Sequence, residues 1–167
     1  MGALADGAIA AGGRTIGVIP KSLVDLELAH TGLDELHVVE TMHERKTLMH
    51  ELSGALVALP GGVGTFEEIL EALTWSVLKY HAKPVGLLNV EGYWDAFLSS
   101  LDHAVGEGFF RREQRELLLV EEDAAALYAR IRDWQDPDLP ILEAPASSDV
   151  EGLDLADAVD FPLPSDA

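Results

Sequence analysis

The nine residues Pro60–Glu68, PGGVGTFEE, combine the parts of an anion site. They follow an apolar run, Ala55–Leu59, and open a stretch with helical spacing. Gly61, Gly62 and Gly64 permit positive φ and keep side chains out of a ligand's path. Backbone N–H groups can then converge, and the helix start adds unpaired donors and the positive end of its dipole. A phosphate is the natural guest of such a concavity. Thr65 is placed to cap the helix or to donate its hydroxyl to that phosphate. No Lys follows the last glycine, so this is not a Walker loop, and it is not G-x-G-x-x-G either. The plain alternative is a tight turn with a capping box of Thr65 and Glu68. That box accounts for two residues but not for three glycines in four positions.

A second group lies just upstream. Met42–Lys46, MHERK, opens a helix after the apolar run Leu36–Glu40. Arg45 and Lys46 fall near its first turn, where the helix dipole disfavours cations. The plain reading is a solvated face with Glu44 as partner. Beside a phosphate loop the balance shifts, because Arg is the best bidentate clamp for phosphate or carboxylate. His43 and His50 lie seven apart, and no H-E-x-x-H or G-x-S-x-G motif occurs. No metal is implied. Glu67 points about 100° away from Glu68 on a helix, toward solvent. Trp75 and Leu78 read as core or interface residues.

These groups need elements to hold them. Five short apolar runs, Thr15–Ile19, Leu36–Glu40, Ala55–Leu59, Val85–Val90 and Leu117–Val120, predict parallel strands buried on both faces. Helical patterns separate the later ones: Met42–Ser53, Thr65–Tyr80 with Ile69, Leu73 and Val77 inward, Tyr93–Glu107, and Asp123–Arg132. The alternation predicts an α/β fold, a doubly wound, Rossmann-like parallel sheet with helices on both faces. Ligands of such sheets sit beyond the carboxyl ends of the strands, where both motifs lie. The chain opens instead with a helical stretch, Met1–Ala11, closed by Gly12–Gly13.

The 167 residues carry 30 Asp and Glu against 11 Lys and Arg, a net charge of −19. That opposes nucleic acid and anionic membranes as partners. There is no cysteine, hence no disulfide, thiolate metal site or cysteine nucleophile. No secretory signal is legible, so a cytoplasmic location is expected. Ten of the acids and no Lys or Arg lie in residues 133–167. The expected division is a nucleotide-monophosphate-binding domain over residues 1–132 and an acidic, Pro-rich, disordered tail over 133–167. An acidic partner-binding segment is the alternative for that tail.

MHERK, a strand and PGGVGTFEE together resemble the signature of the LONELY GUY family, M-x-x-R-K followed by P-G-G-x-G-T-x-x-E. The flanks IGVIPKSLVDLELAH, Thr74–Trp75 and KPVGLLN agree, and the resemblance covers roughly Met1 to Arg132. It implies hydrolysis of the N-glycosidic bond of cytokinin riboside 5′-monophosphates or AMP, releasing free base and ribose 5-phosphate without a cofactor. It implies Arg45 and Glu68 as the catalytic pair. Glu27, Arg45, Lys46, Gly61, Gly62, Val63, Gly64, Thr65, Glu67, Glu68 and Thr74 would then line the nucleotide site. It further implies a homodimer or dimer-based oligomer with sites near the interface. Such a family opens with a strand, a helix and a second strand before a Met-Gly pair that Met1–Gly2 resembles. The sheet is therefore expected to be N-terminally incomplete. Two other readings remain at this point. A nucleotide-binding module without catalysis would need the glycines but not Glu68. A lysine decarboxylase, the older label for such sequences, would need a Schiff-base lysine, and Lys21, Lys46, Lys79 and Lys83 offer no such context.

Overall fold

Parallel strands require crossovers, and this chain supplies helices for most of them. The computed structural model describes residues 1–24, 30–137 and 139. In chain order it contains α1 (Gly2–Ala10), β1 (Ile16–Pro20), α2 (Lys21–Val24), β2 (Glu35–Val39), α3 (Met42–Leu52), β3 (Leu56–Ala58) and α4 (Val63–Val77). Then follow β4 (Val85–Leu88), a 3-10 turn at Val90–Gly92, α5 (Asp95–Gly106), α6 (Arg112–Arg115), β5 (Leu118–Glu121) and α7 (Ala124–Arg132). The class is α/β with parallel sheets, as the alternation predicts. The described strands pair as two small sheets, β1–β2 and β3–β4–β5. β3 spans only three residues and pairs with β4 alone.

β4 is the centre of the larger sheet. Val85 and Leu87 are fully buried. Gly86 faces the other way, against α7, because a methyl group there would lie 3.0 Å from Leu127 Cδ1. Side chains alternate along a strand, so β4 is covered on both faces. α4 adds Ile69, Ala72, Leu73 and Ser76 to the core. Burial on both faces does not extend to β3, where Val57 is exposed, or to the first sheet. Ile16 is exposed on one face of this sheet, and Leu36 and Val38 are exposed on the other. At its head Thr15 and Asp34 lock together. Asp34 Oδ2 accepts from the Thr15 amide (2.7 Å) and hydroxyl (2.9 Å), which holds the Asp34 carboxyl below its usual range.

α4 ends at a lysine in left-handed backbone, Lys79 (φ 60°). The amide of Tyr80 bonds Trp75 O and that of Lys79 bonds Ser76 O, a Schellman termination with Lys where Gly is usual. The Lys79 ammonium then reaches Asp136 (3.2 Å) and the Pro137 carbonyl (2.6 Å), while Trp134 Nε1 donates to Ala82 O (3.0 Å). Residues 133–137 are thus held to Met1–Pro137, one compact unit. The rest of the acidic tail, Leu139 aside, lies outside the described residues.

The contact between Gly86 and Leu127 sets a measurable limit. Gly86→Val should lower unfolding free energy by about 1–3 kcal/mol, because the added atoms must push α7 off the sheet. Equilibrium denaturation of both proteins checks this, and an unchanged midpoint would mean that α7 does not seat on β4.

Candidate active site

Both motifs lie at the carboxyl ends of strands, as the sequence predicts. After β2, Thr41 caps α3 by accepting from the Glu44 amide (3.1 Å), and Glu44 reaches back to the Glu40 amide (2.9 Å). Glu44 is therefore engaged with the helix start and is not the partner of Arg45 or Lys46. Those cations turn to α4 instead. Arg45 Nη2 lies 3.9 Å from Glu68 Oε1. Lys46 Nζ lies 2.7 Å from Glu67 Oε1 and 3.0 Å from Glu71 Oε1. Further along, the rings of His50 and Trp75 meet at 4.6 Å. Contacts that rise together in both helices mean that α3 and α4 run side by side and parallel.

After β3 the chain turns through Pro60–Gly62 into α4. The helix begins two residues before Thr65. Gly62 is its N-cap (φ −86°, ψ −165°), and its carbonyl accepts from the amides of Thr65 (2.9 Å) and Phe66 (3.2 Å). Thr65 is thus in the first turn and caps nothing, because a glycine already fills that place without steric cost. None of Gly61, Gly62 and Gly64 uses positive φ; among the described residues the glycines that do are Gly12, Gly92 and Gly108. The value of the loop's glycines is emptiness. A side chain on Gly61 would overlap the Thr65 hydroxyl, whereas a methyl group on Gly62 or Gly64 would meet no chain atom within 4 Å. Packing explains Gly61 and leaves Gly62 and Gly64 facing open space. The amides of Val63 and Gly64, which open α4, have no intrahelical acceptors. Val63 stands there at 86% exposure.

The site is therefore a bare helix start with a carboxylate one turn inward and a guanidinium beside it. Arg45 and Glu68 keep 25% and 36% of their side chains exposed, enough to meet a ligand. Lys46 and Glu67 pair with each other rather than opening to the loop. Two carboxylates raise the Lys46 pKa above its usual range, chiefly through the Glu67 hydrogen bond and then that of Glu71. Thr74 lies nine residues beyond Thr65, about 14 Å along the helix, and its hydroxyl donates to Leu70 O (2.7 Å). It does not share the loop's concavity within one chain. Glu27 lies outside the described residues.

The sequence reading does not single out Tyr93, whose hydroxyl donates to the Gly61 carbonyl. The signal was its place, just past the carboxyl end of β4 and beside the loop that follows β3. A cavity of about 380 Å³ lies at the other end of the helix pair, walled by His50, Trp75, His81 and Lys83. There the His81 ring donates from Nε2 to Ala72 O (3.1 Å) and accepts the Lys83 amide at Nδ1 (3.2 Å). Both nitrogens are thus committed to the neutral ring. Burial lowers the pKa of His81. It also lowers that of His50, where His81 and Lys83 add to the effect.

Residues 1–131 match the family model described as "Possible lysine decarboxylase". A cytokinin riboside 5′-monophosphate phosphoribohydrolase of Rhodococcoides fascians is 50% identical over 133 residues, covering 79% of this chain and 67% of the relative. The LOG protein of that name from Oryza sativa subsp. japonica is 47% identical over 124 residues, 74% of this chain and 51% of the relative. LOG2 of Arabidopsis thaliana, of the same name, is 45% identical over 124 residues, 74% of this chain and 58% of the relative. The chain belongs to this family, the LONELY GUY family that its two motifs resemble. It spans between 51% and 67% of the length of these three relatives.

Two measurements follow from the geometry. Gly64→Ala puts a better helix former where nothing obstructs it, so stability should rise by about 0.5–1 kcal/mol. The same methyl intrudes on the open space, so affinity for inorganic phosphate or AMP should fall. Paired thermal melts and binding titrations check both, and unchanged affinity would detach the space from any ligand. The second concerns pH. Because the folded chain holds His50 and His81 less protonated than the unfolded chain does, stability should decline as pH falls through about 6.5. Melting temperature against pH should show that decline, and His81→Asn should flatten it.

Proposed function

We propose that this chain hydrolyses the N-glycosidic bond of adenine-type nucleoside 5′-monophosphates, cytokinin riboside 5′-monophosphates or AMP, giving free base and ribose 5-phosphate. The observation that carries the reading is Glu68 beside Arg45, 3.9 Å apart, one turn inward from a helix start kept bare by Gly62 and Gly64. The names of the relatives support it. In this scheme the amides of the α4 start and its dipole hold the 5′-phosphate. Cleavage of the ribosyl bond builds positive charge on the sugar, as in glycoside hydrolysis. The Glu68 carboxylate stabilises that charge and orients the attacking water. The water oxygen bonds to C1′, the bond from C1′ to the base nitrogen breaks, and the water proton ends on the base. Arg45 holds phosphate or ribose oxygens and orients Glu68.

The lysine-decarboxylase description fits the side chains less well. A Schiff-base lysine must give up its proton, and Lys46, the lysine nearest the site, is held charged between Glu67 and Glu71. The functional protein is read as a homodimer or dimer-based oligomer. A second copy lying across α4 would bring its Thr74 toward a loop that Thr74 of the same chain does not reach. In it, the two parallel sheets are read as parts of one doubly wound, Rossmann-like arrangement.

Glu68→Gln should abolish base release from AMP while AMP affinity stays within about tenfold, since the isostere keeps shape and loses charge. Arg45→Ala should weaken both binding and turnover. Chromatographic assay of free adenine with calorimetric AMP titration reads both effects. Unchanged turnover in Glu68→Gln would remove the carboxylate from the chemistry, and AMP binding without base release by the parent protein would leave a nucleotide-binding module.

A further inference from the structure

Donors at a helix start bind an anion only if their peptide planes are held in the right orientation. In the loop before α4, two successive planes have separate anchors. The Gly62 carbonyl points into α4, where the amides of Thr65 and Phe66 hold it. A trans peptide directs its N–H opposite to its C=O. The Val63 amide is thereby aimed outward from the helix start. The preceding plane has no helical anchor. Its carbonyl, that of Gly61, instead accepts the Tyr93 hydroxyl. By the same geometry, the Gly62 amide is turned away from Tyr93.

Tyr93 is itself well fixed. Its ring meets Trp94 edge-on at 5.1 Å, and Trp94 is fully buried against Phe66 of α4 at 5.0 Å. The turn before it is set by Glu91 and Gly92, both at positive φ. Gly92 has φ 71°, which favours glycine, and a side chain there would crowd the Asp95 carboxylate. Buried Asn89 closes the turn, accepting the Trp94 amide (2.7 Å) and donating to Asp95 (2.8 Å). The end of β4 thus forms a rigid brace whose outermost group is one phenolic hydroxyl on the phosphate loop.

We propose that Tyr93 is a positioning residue for the 5′-phosphate: by holding the Gly61 carbonyl away from the anion, it aims the Gly62 amide at it. The inference rests on the phosphate reading of the loop given above. Without the hydroxyl, the Gly61–Gly62 plane is free to rotate. Rotation would bring a carbonyl oxygen toward the phosphate in place of a donor. Tyr93 acts through the Gly61 carbonyl of the loop, so its effect falls on phosphate binding and not on bond cleavage.

The test is Tyr93→Phe, which removes one oxygen from a half-exposed ring and keeps its packing on Trp94. Binding of AMP, ribose 5-phosphate and adenosine is measured by calorimetry, and base release from AMP by steady-state kinetics. About tenfold weaker binding of AMP and ribose 5-phosphate is expected, with adenosine binding and melting temperature unchanged. KM for AMP should rise by a similar factor while kcat stays within about twofold. Equal AMP affinity in variant and parent would overturn the inference, as would a fall in kcat at unchanged KM. If the parent binds AMP but releases no base, the hydrolase reading fails, and the difference in AMP affinity still decides the role of Tyr93. If the parent binds neither phosphate compound, the role of Tyr93 falls with that of the loop.

Discussion

One ammonium group sets the spacing on which the site depends. Lys46 leaves α3 and sits between Glu67 and Glu71, one turn apart on α4, with 17% of its side chain exposed. It ties two helices that belong to different strands, β2 and β3, whose described backbones do not pair. With that register fixed, Glu68 is the carboxylate that Arg45 faces among the described residues. Without Lys46, Glu67, Glu68 and Glu71 would crowd within one turn of like charge. The cation that reads from sequence as a phosphate ligand is, by its two carboxylate partners, a clamp between α3 and α4.

The glycine loop depends on the same register. α4 is held from one side by α3 and from beneath by its own buried face, Ile69, Ala72, Leu73 and Ser76. Its first turn is then a fixed platform. Gly61 must be bare because the Thr65 hydroxyl fills the place of its side chain, and Gly62 and Gly64 are bare toward empty space. These are different reasons for the same residue type. Only the second calls for a ligand.

The motifs were legible because their chemistry is local. Three glycines after an apolar run, and a carboxylate one turn on, are read from spacing alone. The strands were legible from apolar runs, with boundaries shifted by a residue or two. The sequence does not show which of several neighbouring residues caps a helix, nor what depends on partners distant in sequence. Threonine is a preferred cap, so the sequence puts the start of α4 at Thr65, yet Gly62 takes that role. The partners of Lys46 lie 21 and 25 residues away, and Tyr93 lies 32 from Gly61. Helices of four residues, such as α2 and α6, are shorter than any window in which periodicity can be counted. Lys79 in left-handed backbone breaks the expectation of glycine at a helix end, and its ammonium on Asp136 shows what the lysine adds.

The charge of the chain and the charge of its proposed substrate have the same sign, which divides the forces at work. A net charge of −19 repels any anion at long range, but mobile ions screen that field beyond roughly 8 Å at physiological salt. Direct donors act within about 3 Å, where screening by salt has little effect. A small monophosphate can pass through the repulsive region and then be held by the start of α4 and Arg45. An extended polyanion would meet the repulsion of a chain with 30 Asp and Glu, and its 11 Lys and Arg are too few to offset the cost. The acidic composition therefore acts on which anions approach, while the bare helix start acts on what is held. On the proposed reading, selectivity for small phosphates comes from confining the attraction to one concavity.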